Sequence, residues 1–210
     1  MKRARTFIRT IAAGLSIGTA VPSGAAETTE TIVLLRHGEK PPAGLGQIDC
    51  QGLNRALALP PVINRMFGKP DAIFAPNPSV RKEDRGRMYD YIRPLATIEP
   101  TAVAFGLPVD TSIGQDRVKV LHRRLEAPEL RGALVLIAWE HRQIPVLAQA
   151  LMKAHGGDPD AVPDWKGDDF DSFYVLRITR DGRASTARFE HLREGLDGQP
   201  MACPVAVKQP

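Results

Sequence analysis

The sequence predicts an α/β fold: a three-layer sandwich with a central, mostly parallel sheet flanked by helices. Three observations carry that expectation. The run Thr31-Ile32-Val33-Leu34-Leu35 is β-prone and stops abruptly at Arg36-His37-Gly38-Glu39. A strand interior cannot hold those polar groups cheaply, but the loop at a strand's carboxyl end can, and ligands of open α/β sheets bind there. Ala133-Leu134-Val135-Leu136-Ile137-Ala138-Trp139 is continuously apolar, the pattern of a parallel strand covered on both faces. Strand-like runs alternate with segments of helical periodicity along the rest of the chain. With 210 residues, 43% of them hydrophobic and 25% charged, the chain can build one good core and is short for two.

Taken in order, Lys2, Arg3, Arg5 and Arg9 form a positive head, Ile11 to Val21 an apolar stretch, and Pro22-Ser23-Gly24-Ala25-Ala26 a small-residue exit. That layout predicts a secretory signal peptide over 1–26, cleaved near Ala26, and a periplasmic or secreted protein whose single domain spans 27–210. The apolar stretch is too short to serve comfortably as a membrane anchor. Pro41 to Cys50 reads as a loop. Gly52 to Phe67 has a helical pattern that Pro60-Pro61 should kink or break. Asp71 to Ala75 reads as a short strand, and Pro76 to Arg87, polar and basic, as a long loop. Arg93 to Phe105 reads as a helix ended by Gly106. Ile144 to His155 is a helix closed by Gly156-Gly157, and 173–179 with 184–189 form an edge hairpin around Asp181-Gly182.

Charge and cysteine content narrow the function. The first 26 residues hold four cations and no acidic residue, so without them the formal net charge falls from +4 to zero. The mature chain thus gives no reason to expect a nucleic acid or an anionic membrane as partner. Cys50 and Cys203 are the two cysteines. In an oxidising compartment they could form a disulfide between the tail and the loop after the first strand, contributing on the order of 4–5 kcal/mol, or remain two buried thiols. No Gly-Lys-Ser/Thr follows Gly44-Leu45-Gly46, which rejects a nucleoside triphosphate site. No histidine shows metal-ligand spacing, so no metal and no other cofactor is expected. The aspartates from Asp158 to Asp171 fit no calcium loop and read as a solvated loop. His122, His155 and His191 read as solvated or capping groups. Arg81, Lys82, Arg85 and Arg87 are either a solvated run or a basic rim facing the substrate.

Three groups of residues carry the chemistry. In Arg36-His37-Gly38-Glu39, one imidazole nitrogen held as a donor would leave the other its lone pair, the adjacent guanidinium could grip phosphate oxygens, and Gly38 would let backbone come close. Arg93 and Thr97, four residues apart, precede Glu99-Pro100 and Gly106-Leu107-Pro108-Val109. A guanidinium near a helix amino terminus adds its charge to the dipole and presents a fork to phosphate. Glu140-His141 ends the most apolar strand. Together these motifs resemble the histidine phosphatase superfamily, which includes the phosphoglycerate mutases and acid phosphatases. The resemblance spans residues 31–150 and implies a phosphoglycerate mutase-like fold.

By residue, the resemblance implies that His37 attacks phosphorus to form a phosphohistidine. Arg36, Arg93 and His141 would hold the equatorial oxygens, and water would then release phosphate. This makes the expected activity metal-independent hydrolysis of a small phosphorylated substrate. Many members carry a Glu after Gly-Leu-Pro-Val as the acid for the leaving oxygen, whereas this chain offers Asp110 and Asp116 there. Glu140 is the acid candidate, and its alternative is a salt bridge to Arg142 or Arg36. The rival readings are a non-catalytic phosphate-binding or interaction module and a protein-phosphohistidine phosphatase.

Overall fold

The computed structural model describes residues 27–205; the segment read as a signal peptide lies outside them. Among the described residues the main sheet has six strands: β1 (Thr28–Arg36), β2 (Ala72–Phe74), β5 (Val109–Asp110), β6 (Leu134–Trp139), β7 (Ser172–Asp181) and β8 (Ala184–Arg193). Their order is β5-β2-β6-β1-β7-β8. The first four run parallel, while β7 pairs antiparallel with β1, and β8 with β7. The expected central parallel strand and edge hairpin are both present. β3 (Lys82–Asp84) and β4 (Arg87–Tyr89) form a separate two-stranded ribbon.

Alternation along the strands builds two cores. Ile32, Leu34, Val135, Ile137 and Trp139 face one side, where they meet Leu121 and Leu125 of α3 (Val118–Leu125) and Ile144, Leu147 and Leu151 of α4 (Gln143–Ala154). Val33, Leu35, Leu136 and Ala138 face the other, against Leu59 and Ile63 of α1 (Cys50–Met66) and Ile98 and Ala102 of α2 (Arg93–Phe105). Strands buried on both faces need no polar alternation, which is why β1 and β6 read as unbroken apolar runs. No helix among the described residues is long and apolar enough to cross a membrane.

Two expectations are corrected. Helix α1 continues unbroken through Pro60-Pro61, so the break the prolines suggested does not occur. Pro61 and Leu57, one turn apart, lie on its exposed side, where solvent can take up the carbonyl that proline leaves unbonded. The stretch read as one long loop, 76–87, instead contains β3 and the start of β4. Both ends of α2 follow the reading: Pro94 sits in its first turn, and Gly106 (φ 67°, ψ 38°) closes it in the left-handed region. Cys50 and Cys203 are joined in a disulfide.

The chain leaves β1 through α1 on one face and β6 through α4 on the other, although these strands are neighbours. Such a reversal opens a crevice at the carboxyl edge between them. Arg36 pairs in register with Trp139, so the loops carrying His37 and His141 emerge side by side.

Candidate active site

The crevice holds a cavity of about 340 Å³ whose lining includes Arg36, His37, Asp84, Arg93, Glu140 and His141. The five residues that the sequence reading assigned to catalysis or phosphate binding, Arg36, His37, Arg93, Glu140 and His141, are therefore in one place. Cavities of about 480 Å³ elsewhere, one acidic and one apolar, contain none of those five residues.

His37 is buried and its Nδ1 lies 2.8 Å from the Gly38 carbonyl. A carbonyl can only accept, so Nδ1 carries the hydrogen and Nε2 keeps its lone pair. Burial first, and then the nearby charges of Arg36 and Arg93, hold the pKa of His37 well below the ordinary histidine value, keeping the ring neutral. The loop is fixed from two sides. Thr97 Oγ1 donates to the Arg93 carbonyl at 2.9 Å and accepts the Gly38 N–H at 2.8 Å, which explains the four-residue spacing of Arg93 and Thr97. Gly38 also stacks on Gly52 in the first turn of α1, where a Cβ on Gly38 would come within 3.0 Å of the Gly52 Cα. Asp49 caps that turn by accepting the Gly52 N–H.

The two arginines are each held by protein groups. Arg36 donates through Nη1 to the carbonyls of Gly167 (2.9 Å) and Asp169 (2.8 Å) and lies 3.9 Å over the Phe170 ring. Burial pulls its pKa down to about 10, which leaves it cationic at neutral pH. Arg93 is paired through Nη1 with the Asp84 carboxylate, which also accepts from Lys40 Nζ at 3.1 Å. The Nε of both arginines is buried with no partner among the described residues, so each retains donor capacity.

His141 lies next to Glu140, with Nδ1 3.2 Å from Oε1 but not aligned for a hydrogen bond. Burial, reinforced by Arg36, lowers the pKa of His141 to about 4 despite the pull of Glu140. The salt bridge to Arg142 or Arg36 held as the alternative for Glu140 is not among its contacts. Its partner is Lys82 Nζ at 3.2 Å, and Arg142 contacts it through the backbone N–H at 2.9 Å. Lys82 thus belongs to the rim of the pocket, whereas Arg81 pairs with Asp90 on the surface.

Several residues that matter to this site escaped the sequence reading. Asp84 and Lys40 are two of them. Arg55 is another: fully buried, it binds Glu39 (2.7 Å), Glu194 (2.8 Å) and Asp171 (3.2 Å). The charged residues spread over α1 and the tail gave no local pattern pointing to this cluster. The aspartates read as a solvated loop are corrected in part, because Asp171 is buried in this cluster and Asp169 Oδ2 accepts from the Ser172 hydroxyl. His155 is likewise buried, bonded to Ser185 and Glu126. Asp110 and Asp116 lie outside the pocket lining, Asp110 accepting from Ser112.

No sequence-family profile and no curated protein matches this chain. Solved structures do. A protein assigned as phosphohistidine phosphatase SixA from Nakamurella multipartitia superposes with a TM-score of 0.50 over 80% of this chain and 98% of its own, at 16% identity. A mycobacterial glucosyl-3-phosphoglycerate phosphatase, solved with inorganic phosphate, superposes with a TM-score of 0.51 over 77% of this chain and 95% of its own, also at 16% identity. The chain has the histidine phosphatase fold. That fold is phosphoglycerate mutase-like, as the three motifs implied.

Proposed function

We propose that this chain is a phosphomonoesterase that hydrolyses a small phosphorylated substrate through a phosphohistidine on His37. The observation that carries the reading is the state of His37: a neutral imidazole with Nδ1 committed to Gly38, in a pocket where Arg36, Arg93 and His141 converge. In the first step the Nε2 lone pair forms a bond to phosphorus while the bond to the leaving oxygen breaks and that oxygen takes a proton. In the second, a water oxygen bonds to phosphorus, the P–N electron pair returns to Nε2, and inorganic phosphate leaves. The guanidinium groups and His141 would hold the equatorial oxygens, so charge neutralisation needs no metal ion. Glu140, tied to Lys82 and beside His141, would keep that second imidazole in place. Two structural neighbours whose names are those of phosphatases support the coarser part of this reading, phosphate hydrolysis on this fold. Export to a periplasmic or secreted setting belongs to this reading, and a disulfide between Cys50 and Cys203 suits such a compartment.

The test is phosphate release from p-nitrophenyl phosphate in the presence of EDTA. His37→Ala should abolish turnover, and acid-labile phosphate should be trapped on the wild-type protein but not on the variant. Turnover that survives His37→Ala, or that EDTA removes, would sink the proposal.

A further inference from the structure

Resting on the phosphatase reading, we infer that Asp84 is the proton donor to the leaving oxygen. It shares the pocket with His37 and Arg93, is 8% exposed, and arrives on a β-ribbon that pairs with no other strand among the described residues. Along β3 Asp84 is buried, whereas Glu83 is exposed at the pocket's rim. The loop after His37 leaves space for it, because a Cβ on Gly44 would overlap the Asp84 carboxylate.

Its partners set it apart from the other acids. Asp84 is held by Arg93 and Lys40, and Arg93 is a group that a phosphoryl oxygen would claim. In the free protein burial would raise its pKa, but Arg93 and Lys40 outweigh burial and hold it below the usual value, so the carboxylate is ionised. An incoming phosphate dianion takes over the Arg93 fork and sets two negative charges beside the carboxylate. Loss of the counter-ion and like-charge repulsion then both favour the protonated form. Glu140 undergoes no such change. Its partners are Lys82 and the Arg142 N–H, neither of them among the proposed phosphate ligands. In the first step the Asp84 proton passes to the ester oxygen as the P–O bond breaks. In the second, the Asp84 carboxylate takes a proton from the attacking water.

A leaving-group series tests this. p-Nitrophenolate departs without help, whereas the alkoxide of glycerol phosphate does not. Asp84→Asn should lose about 10²–10⁴-fold in kcat/KM on glycerol phosphate while p-nitrophenyl phosphate changes by less than about tenfold. Asp84→Glu, which keeps the carboxyl, should recover much of the glycerol phosphate turnover. Equal losses on both substrates would overturn the assignment in favour of a structural role. Gains on both would overturn it in favour of a carboxylate that merely plugs the site. If Asp84→Asn does not fold, as judged by its melting transition, Asp84→Ala decides: loss restricted to the poor leaving group supports the donor role, and uniform loss overturns it. Wild-type turnover that His37→Ala leaves intact, or no wild-type turnover of either ester, would instead overturn the phosphatase reading beneath it.

Discussion

At His141 two electrostatic demands oppose each other. The phosphate-holding role proposed for His141 calls for a cation, yet burial and Arg36 keep this imidazole neutral, with a pKa near 4 against an ordinary 6.5. The sign follows from that direction: the ring carries its charge only below about pH 4, and its contribution to stability is present above pH 6.5 and lost as pH falls toward 4. Bound phosphate reverses the balance by adding negative charge beside the ring. We therefore expect the His141 imidazole, followed by NMR in the free protein, to titrate close to pH 4 and to move upward when inorganic phosphate saturates the site. A titration near 6.5 in the free protein would contradict this account of the pocket. His37, Arg36, Arg93 and His141 were legible in the sequence because each sits at the end of a strand or the start of a helix, in a short motif that fixes its place. Asp84 was not, since nothing in the polar stretch 76–87 marks which residue turns inward.

Between elements, the ion cluster around Arg55 links α1 to the His37 loop and to the ends of β7 and β8. Arg55 is held cationic: burial alone would lower its pKa, but Glu39 and Glu194 more than offset it. Replacing one partner of a buried cluster leaves the others uncompensated, so Arg55→Met should destabilise the fold by about 3–5 kcal/mol in urea unfolding. Asp197→Ala is the control. Its carboxylate lies 3.3 Å from Arg55 but is 63% exposed, and its loss should change stability by less than about 1 kcal/mol. Comparable effects of the two substitutions would show that the cluster is not the clamp described. Apolar periodicity made α1, α2, α4, β1 and β6 readable, because burial forces that pattern on them. The ribbon of β3 and β4 has strands of three mostly polar residues each, held by pairing with one another and by Lys40 and Arg93, so no local signal distinguished it from a loop. Pro60-Pro61 misled for a different reason: the carbonyl that Pro61 frees, that of Leu57, lies on the exposed side of α1, and the helix continues through the pair.

For the molecule as a whole, the parallel strands close the core early in the chain, and the tail must return to the site's flank to complete it. After β8 the chain passes Glu194 and Asp197 of the Arg55 cluster, then reaches α1. There Asn54 donates to the carbonyls of Pro200 and Ala202, both at 2.8 Å, and Cys203 bonds to Cys50. The cross-link spans 153 residues of sequence. A loop of that length loses much of its freedom in the unfolded chain, so Cys203→Ser should lower stability by about 2–5 kcal/mol, with a matching fall in melting temperature. Neither cysteine lines the pocket of His37, and the Gly38–Gly52 contact is fixed by the Asp49 cap as well as by the bridge. Catalytic constants below the melting range should therefore stay close to wild type. Reduction of the wild-type protein should reproduce the variant's melting temperature, since both remove the same constraint. A variant that melts like wild type would mean that the Asn54 contacts alone hold the tail. One that is stable but inactive would mean instead that the bridge orders the His37 loop.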